Sequence, residues 1–451
     1  MLRTRLLLPL YCAFVLFAGC EIASSPVPEA RGGRLDLKGI RTARSTPVAL
    51  RGEWEFIRGE FMSPDEYLYW SEFEFKRAAK IEGAGPRYLR LPGDWERMAV
   101  PGASEGVGHG TFILRVSGLP VDEELGLRVG RVGAAYRLYI VPASHLELVR
   151  EKRTGDAPPF RPFLHQGFAD EIYSVPHFAP ALGAFTVQDP ELYIILHVAN
   201  QDAARGGVLE PIFLGDIRRM RFHEQLWRAL HHAFFGFLGA LFLLHLGRLL
   251  RAVNPADVIF MLLAVTGFVY LFFLSHRAED FFPGFSRELF YAFRRTEAVS
   301  RALFVAVWLS YPLVLRRIEL PTRPVLALLW VFTSLYIGLA LFASLRTALE
   351  FRDFLDPVTV GVLAYIVAGI MLRVRGGDPG GLPYLFSIVA VSGAFLFDAL
   401  QPDALAGRLP FGLATAAIVA ALSSNLFDGR SLGVARRWRQ WIKSRRAVKA
   451  D

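Results

Sequence analysis

The chain has 451 residues, 53% of them hydrophobic, and a formal net charge of +9. Soluble globular chains average about 45–50% apolar residues, and the excess here is concentrated in residues 226–427, which excludes a purely soluble protein. Much of the positive charge lies in the tail 428–451, which holds eight Lys or Arg residues and two Asp. A basic tail after an apolar region is typical of a cytoplasmic end, so we expect no nucleic-acid partner.

The first 20 residues have the composition of a secretory signal peptide. Two arginines precede an apolar stretch, and small residues stand immediately before Cys20, where a bacterial lipobox places its cysteine. Three outcomes remain open: lipidation of Cys20, ordinary cleavage, or an uncleaved anchor. Each of them puts residues 21–220 outside the cytoplasm. The other cysteine, Cys12, lies in the same segment, so we expect the exported domain to fold without a disulfide.

After a linker at 21–44, residues 45–216 have the pattern of a β-rich domain. The stretches 125–132 and 136–141 alternate apolar and polar residues with a period of two. Gly and Pro recur between such stretches as turn signals. Many short strands without helical periodicity predict an all-β sandwich, and within that class a jelly roll. A short amphipathic lead-in helix is predicted at 217–227.

The apolar region 228–427 contains seven stretches long enough to cross about 30 Å of hydrocarbon. They are 228–247, 257–275, 298–315, 324–345, 355–372, 382–400 and 409–427. We therefore predict an all-α bundle of seven transmembrane helices. Basic residues favour cytoplasmic connections. Their distribution predicts a bacterial inner-membrane protein with the β-rich domain outside, the tail 428–451 inside, and the mixed-charge connection 276–297 outside.

A series of motifs follows in order along the chain. In the exported domain they are Gly52-x-Trp54-x-Phe56, Leu91-Pro-Gly-Asp-Trp95, Gly108-His-Gly-Thr-Phe112, Val132-Gly-Ala-Ala-Tyr136-Arg-Leu-Tyr139, and Val198-Ala-Asn200 with Arg205-Gly-Gly207. This order resembles the galactose-binding-type jelly roll found beside family 2 glycoside hydrolase domains. Together with Leu244-His245-Leu246, Arg287-Glu288-Leu289 and Arg295-Thr296-Glu297, it resembles bacterial seven-transmembrane receptors with diverse intracellular signalling modules, over roughly residues 50–430.

The resemblance implies a signal receptor in the membrane lipid. Its exported domain would bind a small molecule or a carbohydrate, and its helices would transmit the change. A separate cytoplasmic signalling protein would read it, since the 24 residues after Phe427 are too few for an output enzyme. The missing output domain departs from the family's pattern, and so does Val141-Pro142-Ala143, where the family's strand often ends in Asn-Gly.

Two other functions stay open. The first is a membrane enzyme or transporter with an accessory carbohydrate-binding domain. The predicted spans carry few charges away from their ends, which counts against transport. The second is a receptor remnant with no active output.

Two sets of residues are candidates for function. A ligand site built from loops of the exported domain would use aromatic and hydrogen-bonding side chains, which suit sugars and other polar ligands; the candidates are Trp95, His109, Asn200 and Arg205. The alternative is that Trp95 is a core residue and Asn200 shapes a turn. In the third span, Glu297 and Arg301 share one helix face, which predicts an ion pair with a role in coupling the domain to the bundle.

The sequence contains no motif that predicts catalysis, a metal or a cofactor. The Gly-rich stretch 376–381 lacks the ending of a phosphate loop, and no carboxylate pair marks a glycosidase. His231, His232 and His245 fall on the first span, but a metal would need more closely spaced ligands. We interpret these histidines as polar packing between helices, and we expect a non-enzymatic protein without a cofactor.

Overall fold

The computed structural model describes residues 28–39, 47–71, 87–94, 107–133, 135–145, 160–169, 174–175, 180–201, 206–251, 255–274, 286–314, 320–343 and 345–375. The predicted signal peptide with Cys20, the sixth and seventh predicted spans, the basic tail, Trp95 and Arg205 lie outside these residues. The chain divides into two compact units: residues 21–230 with 276–293, and residues 231–275 with 294–451 and 1–20.

Strands dominate the first unit. They are β1 (Arg34–Asp36), β2 (Val48–Ala49), β3 (Gly52–Arg58), β4 (Arg87–Leu91), β5 (Gly93–Asp94), β6 (Gly108–Ser117), β7 (Glu124–Val129), β8 (Val132–Gly133), β9 (Ala135–Pro142), β10 (Leu164–Gln166), β11 (Phe168–Ala169), β12 (Ser174–Val175), β13 (Ala181–Thr186), β14 (Glu191–Asn200), β15 (Gly207–Val208) and β16 (Phe213–Asp216). A short helix, α1 (Pro64–Ser71), lies between β3 and β4 in the chain.

The largest sheet is built around β6 and β14, which pair antiparallel from Gly108 opposite Asn200 to Ser117 opposite Glu191. β9 and β10 extend this sheet beyond β14, and β3 and β4 extend it beyond β6. β3 pairs with β6 only as far as residue 113 of β6. Beyond that point, β1 pairs in parallel with residues 115–117 on the same edge of β6. A second sheet has the order β13-β7-β16-β2.

These two sheets share one buried core. Alternate residues of β6 and β14 belong to the same buried cluster as alternate residues of β7; they are Phe112, Leu114, Val116, Leu192, Ile194, Leu196, Val198, Leu125, Leu127 and Val129. Trp54 is fully buried among them, and its Nε1–H donates to the carbonyl of Leu50 at 3.3 Å. The alternating stretches therefore fold as the β-sheet domain that the sequence predicted.

The central strands of the large sheet are buried on their second face as well. Ile113 of β6 and Ile195 of β14 belong to another cluster with Met62 and with Tyr67 of α1. Burial on both faces explains why β14 is apolar along its whole middle instead of alternating, since a strand covered on two sides has no solvated face.

Five helices follow in the described part of the chain: α2 (Ile217–Leu249), α3 (Pro255–Leu274), α4 (Arg287–Val314), α5 (Arg323–Phe342) and α6 (Leu345–Arg375). Among the described residues, four helices are long and apolar enough to cross a membrane, namely α2 to α5, and α6 contains the shorter apolar stretch Pro357–Arg373. These helices are compatible with a multi-pass membrane protein, and they overlap the first five predicted spans.

Three helices, α2, α4 and α6, begin earlier than the apolar spans predicted; α6 begins at Leu345 instead of residue 355. α2 is continuous through the predicted lead-in at 217–227 and the first span. α4 begins at Arg287, so residues 287–297, expected in a connection, are helical. Hydropathy identifies the part of a helix that suits lipid but does not identify the helix ends. The helices extend beyond that part because the charged residues that precede it are good helix formers.

The helical unit has its own core. Its largest buried cluster combines residues of all five helices, among them Leu241, Phe260, Trp308, Tyr311, Leu329 and Ile366. Polar groups within it are bonded locally, as where the Nε1–H of Trp330 donates to Ser310 Oγ at 2.9 Å. Such bonding is required wherever a side chain is withdrawn from water.

The end of α5 is bonded by an arginine of another helix. Arg295 of α4 donates from its guanidinium to the carbonyl oxygens of Ala340 at 3.1 Å and Ala343 at 2.9 Å, and also to that of Leu341. The last carbonyls of a helix have no partner within the helix. Arg295 supplies that partner and places a positive charge at the negative end of the helix dipole.

Candidate functional site

The β-sheet domain passes directly into the first long helix. β16 ends at Asp216 and α2 begins at Ile217. The Asp216 carboxylate accepts the backbone N–H of Arg218 at 2.8 Å, which is the interaction that an N-terminal helix cap provides. No linker separates the last strand from the helix.

The first turns of α2 pack against β7, the strand that lies between β13 and β16. A Cβ atom built at Gly126 would lie 3.0 Å from Ile217 and from the Met220 sulfur. Both of these side chains are buried. The sequence places glycine here because any larger residue would push the helix away from the strand.

An ion pair reinforces the same contact. Arg128 Nε of β7 lies 3.6 Å from Glu224 Oε1 of α2, and both side chains are mostly buried. Glu224 Oε2 also lies 3.9 Å from Arg228, one turn further along α2. Since partly buried pairs are screened less than exposed ones, this pair fixes α2 to β7 more firmly than a surface pair would.

The predicted ligand residues are only partly described. His109 of β6 lies opposite Ala199 of β14, and Asn200 lies opposite Gly108. Because neighbouring strand residues point to opposite faces, the side chains of His109 and Asn200 lie on opposite faces of the sheet. Asn200 is fully buried. The structure therefore does not bring these two side chains into one site.

Trp95 and Arg205 lie outside the described residues, so their prediction stands as it was made. Nearby, Asp94 of β5 is the register partner of Gly207 of β15. Sequence order alone did not indicate this pairing.

A polar cluster that the sequence did not single out lies on the outer face of the large sheet. The Nε2–H of His197 donates to the carbonyl of Met62 at 2.8 Å. Thr111 Oγ1 accepts the Met62 N–H at 3.0 Å and donates to the Glu60 carbonyl at 2.7 Å. These bonds anchor the segment before α1 on the sheet.

The His197 ring is held neutral. Burial lowers the pKa of His197 to about 4, and its bond to the Met62 carbonyl opposes this only in part. The Phe61 ring stacks on it, with ring centroids 4.9 Å apart. The centroid of the Phe61 ring also lies 5.2 Å from that of the His109 ring. His109 is thus a neighbour of this aromatic cluster.

The helical unit contains a buried ionic cluster between α2 and α3. His245 Nδ1 and Asp257 Oδ1 are 2.6 Å apart, and Arg248 Nε lies 3.0 Å from the same oxygen. Phe260 stacks on the His245 ring at 4.9 Å between centroids. The carboxylate of one helix therefore holds two side chains of the other. This is the polar packing between helices expected for His245, although Asp257 was not foreseen as its partner.

Glu297 pairs with Arg294, three residues earlier on α4. The predicted pair of Glu297 with Arg301, and its role in coupling, stay a prediction. Because α4 begins at Arg287, Glu297 has a basic neighbour one turn before it as well as one turn after it. Among the described residues, no group of three or more His, Cys, Asp or Glu could hold a metal ion.

No protein-family model and no curated protein matches the chain. Solved structures with a partial likeness include a beta-glucuronidase of an uncultured Clostridium species, with 14% identity and a TM-score of 0.24 over 38% of this chain and 28% of that one. A GH2 beta-galacturonidase from Eisenbergiella tayi bound to galacturonate has 9% identity and a TM-score of 0.23 over 40% of this chain and 26% of that one. A Ruminococcus gnavus beta-glucuronidase has 12% identity and a TM-score of 0.24 over 38% of this chain and 28% of that one. The chain covers less than a third of the length of each.

Proposed function

We propose that the chain is a membrane signal receptor of the seven-transmembrane type. Its exported jelly-roll domain binds a small molecule or a carbohydrate, and its helices pass the change to a separate cytoplasmic signalling protein. The observation that carries the proposal is the direct passage from β16 into α2. A domain that only tethered the protein, or only collected a substrate, would not need its last strand fused to a long apolar helix.

The contacts of β7 support a mechanical role for α2. A ligand-dependent shift of β7 or β16 reaches α2 through the close approach at Gly126 and the pair of Arg128 with Glu224. Packed surfaces of this kind have discrete arrangements and do not deform continuously. A small displacement in the sheet therefore becomes a rotation or shift of the helix.

The ionic cluster around Asp257 is where a displacement of α2 would change contacts with α3. His245 and Arg248 lie near the end of α2, and Asp257 lies in the first turn of α3. A turn of α2 about its axis would carry both donors away from that carboxylate. In the proposed topology this end faces the cytoplasm, where the signalling partner would act.

An insertion series in α2 tests the proposal. One to four alanines are added after Leu230, each turning the following residues by about 100°. A ligand is first identified as a sugar or small molecule that raises the melting temperature of the full-length protein. We expect every insertion to keep that stabilisation. Ligand-dependent protease protection of the tail should be lost with two added residues and largely regained with four. Equal protection in all four variants would contradict coupling through α2.

A further inference from the structure

The first turns of α2 carry an excess of positive charge. Residues 217–230 contain four arginines and one acidic residue, Glu224. Glu224 is held by Arg128 and Arg228. Arg218, Arg219 and Arg221 are exposed and form no ion pair with any described residue. Within the described part of the chain, these three guanidinium groups therefore have no acidic side chain paired with them.

Exposed apolar side chains continue the same helix face. Phe222 is 68% exposed and Leu226 is 46% exposed. With Arg218 they follow a spacing of four residues, which places all three along one stripe of the helix. Ile217 and Met220 lie on the opposite side, against β7. The stripe thus runs from basic to aromatic to aliphatic before the apolar part of α2 begins.

This order matches the layers of a membrane surface. Arginines suit the level of the lipid phosphates, aromatic rings suit the boundary below it, and aliphatic chains suit the hydrocarbon. The arginines also run against the usual charge bias, because in the proposed topology they stand on the exported side. A bound anion outside the protein removes this conflict.

We propose that the basic collar, defined as Arg218, Arg219, Arg221, Phe222 and Leu226, binds the headgroups of anionic phospholipids. Guanidinium groups bond phosphate oxygens in pairs. A headgroup of the phosphatidylglycerol type carries a net negative charge, whereas the amine of a zwitterionic lipid neutralises its own phosphate. The inference rests on the proposed function only for the placement of α2 in a membrane.

Native mass spectrometry of the full-length protein tests the collar. Phosphatidylglycerol and phosphatidylcholine are added in equal amounts, and retained lipid is counted. We expect the wild type to retain phosphatidylglycerol preferentially, and R218Q/R219Q/R221Q to lose at least about tenfold of that preference. The control R31Q/R51Q/R58Q removes the same charge from exposed positions in the β-sheet domain and should retain it. Single substitutions should give graded losses, which keeps the test valid if the triple variant is unstable.

An unchanged lipid preference in the triple variant would overturn the collar as a lipid site. If that variant also shifted from dimer to monomer, the surface would be assigned to a second copy of the chain. A topology reporter separates this inference from the proposed function. If residue 219 proved cytoplasmic while the lipid preference depended on the collar, the receptor topology would fail and the lipid site would stand.

Discussion

The carboxylate of Asp257 lies 2.6 Å from the imidazole of His245, and both side chains are only 4% exposed. Arg248 approaches the same oxygen at 3.0 Å. One acidic side chain thus holds two basic side chains of the neighbouring helix.

Replacing Asp257 by Asn should destabilise the helical unit. The change removes the anion that faces Arg248, whose side chain is 25% exposed. Breaking a fully buried pair costs about 3–5 kcal/mol, so we expect a smaller loss here. Thermal unfolding of the detergent-purified protein would show a lower midpoint. Glu124→Gln, at an exposed position on β7, is the control and should leave the midpoint unchanged. Equal midpoints for Asp257→Asn and the wild type would mean that the cluster does not hold α2 to α3.

A larger side chain at Gly126 should disturb the strand-to-helix contact. Gly126→Val puts carbon atoms where Ile217 and Met220 already lie, and overpacking of this kind costs about 1–3 kcal/mol. Gly239→Ala, in α2 where a Cβ meets nothing within 4 Å, is the matched control. Chemical denaturation should show a lower free energy of unfolding for Gly126→Val than for Gly239→Ala. Similar losses of unfolding free energy in both variants would contradict a special role for Gly126.

His197 should make the β-sheet domain less stable in mild acid. Its pKa is about 4 when folded and about 6.5 when unfolded. Between these values the unfolded chain binds more protons, so stability falls as the pH falls from 6.5 towards 4. From pH 7 to pH 5 the loss is about 2 kcal/mol.

Urea unfolding at the two pH values measures this loss, and His197→Gln provides the comparison. The Gln amide can donate to the Met62 carbonyl but does not titrate in this range. The variant should therefore lose less stability than the wild type between pH 7 and pH 5. The same loss in both proteins would place the effect on other groups.

The first turns of α2 should belong to the folded β-sheet domain. A fragment of residues 21–230 retains Ile217, Met220 and Glu224 against β7, whereas a fragment of residues 21–215 loses them. We expect mostly strand signal by circular dichroism in both, with a higher unfolding midpoint for the longer one. A predominantly helical spectrum of the shorter fragment would contradict an independently folding β domain.

Reporter fusions test the predicted orientation. A fusion at Arg219 should be active only with a reporter that works outside the cytoplasm, and a fusion at Lys449 only with one that works inside. The physical reason is the excess of basic residues in the predicted cytoplasmic connections and tail. Cytoplasmic activity at Arg219 would reverse the orientation of the chain.

The sequence predicted the β-rich part from its period of two and the helical part from apolar stretches of about 20 residues. It could not predict contacts between distant residues. His197 and Met62 are 135 residues apart, and nothing local to either marks the other. The Arg294–Glu297 pair was not predicted for another reason: hydropathy placed the start of α4 at residue 298, about three turns late. Asp257 was seen only as the edge of a span, because its partners His245 and Arg248 lie across the connection between two helices.

The bonding of the α5 carbonyls by Arg295 has a consequence for where that helix can end. A bare helix end in hydrocarbon leaves carbonyl oxygens unsatisfied at a cost of several kcal/mol each, so such ends are normally confined to water. The guanidinium of Arg295 takes the place of that water at three carbonyls. α5, with 20 residues, therefore ends with these carbonyls bonded whether or not water reaches them.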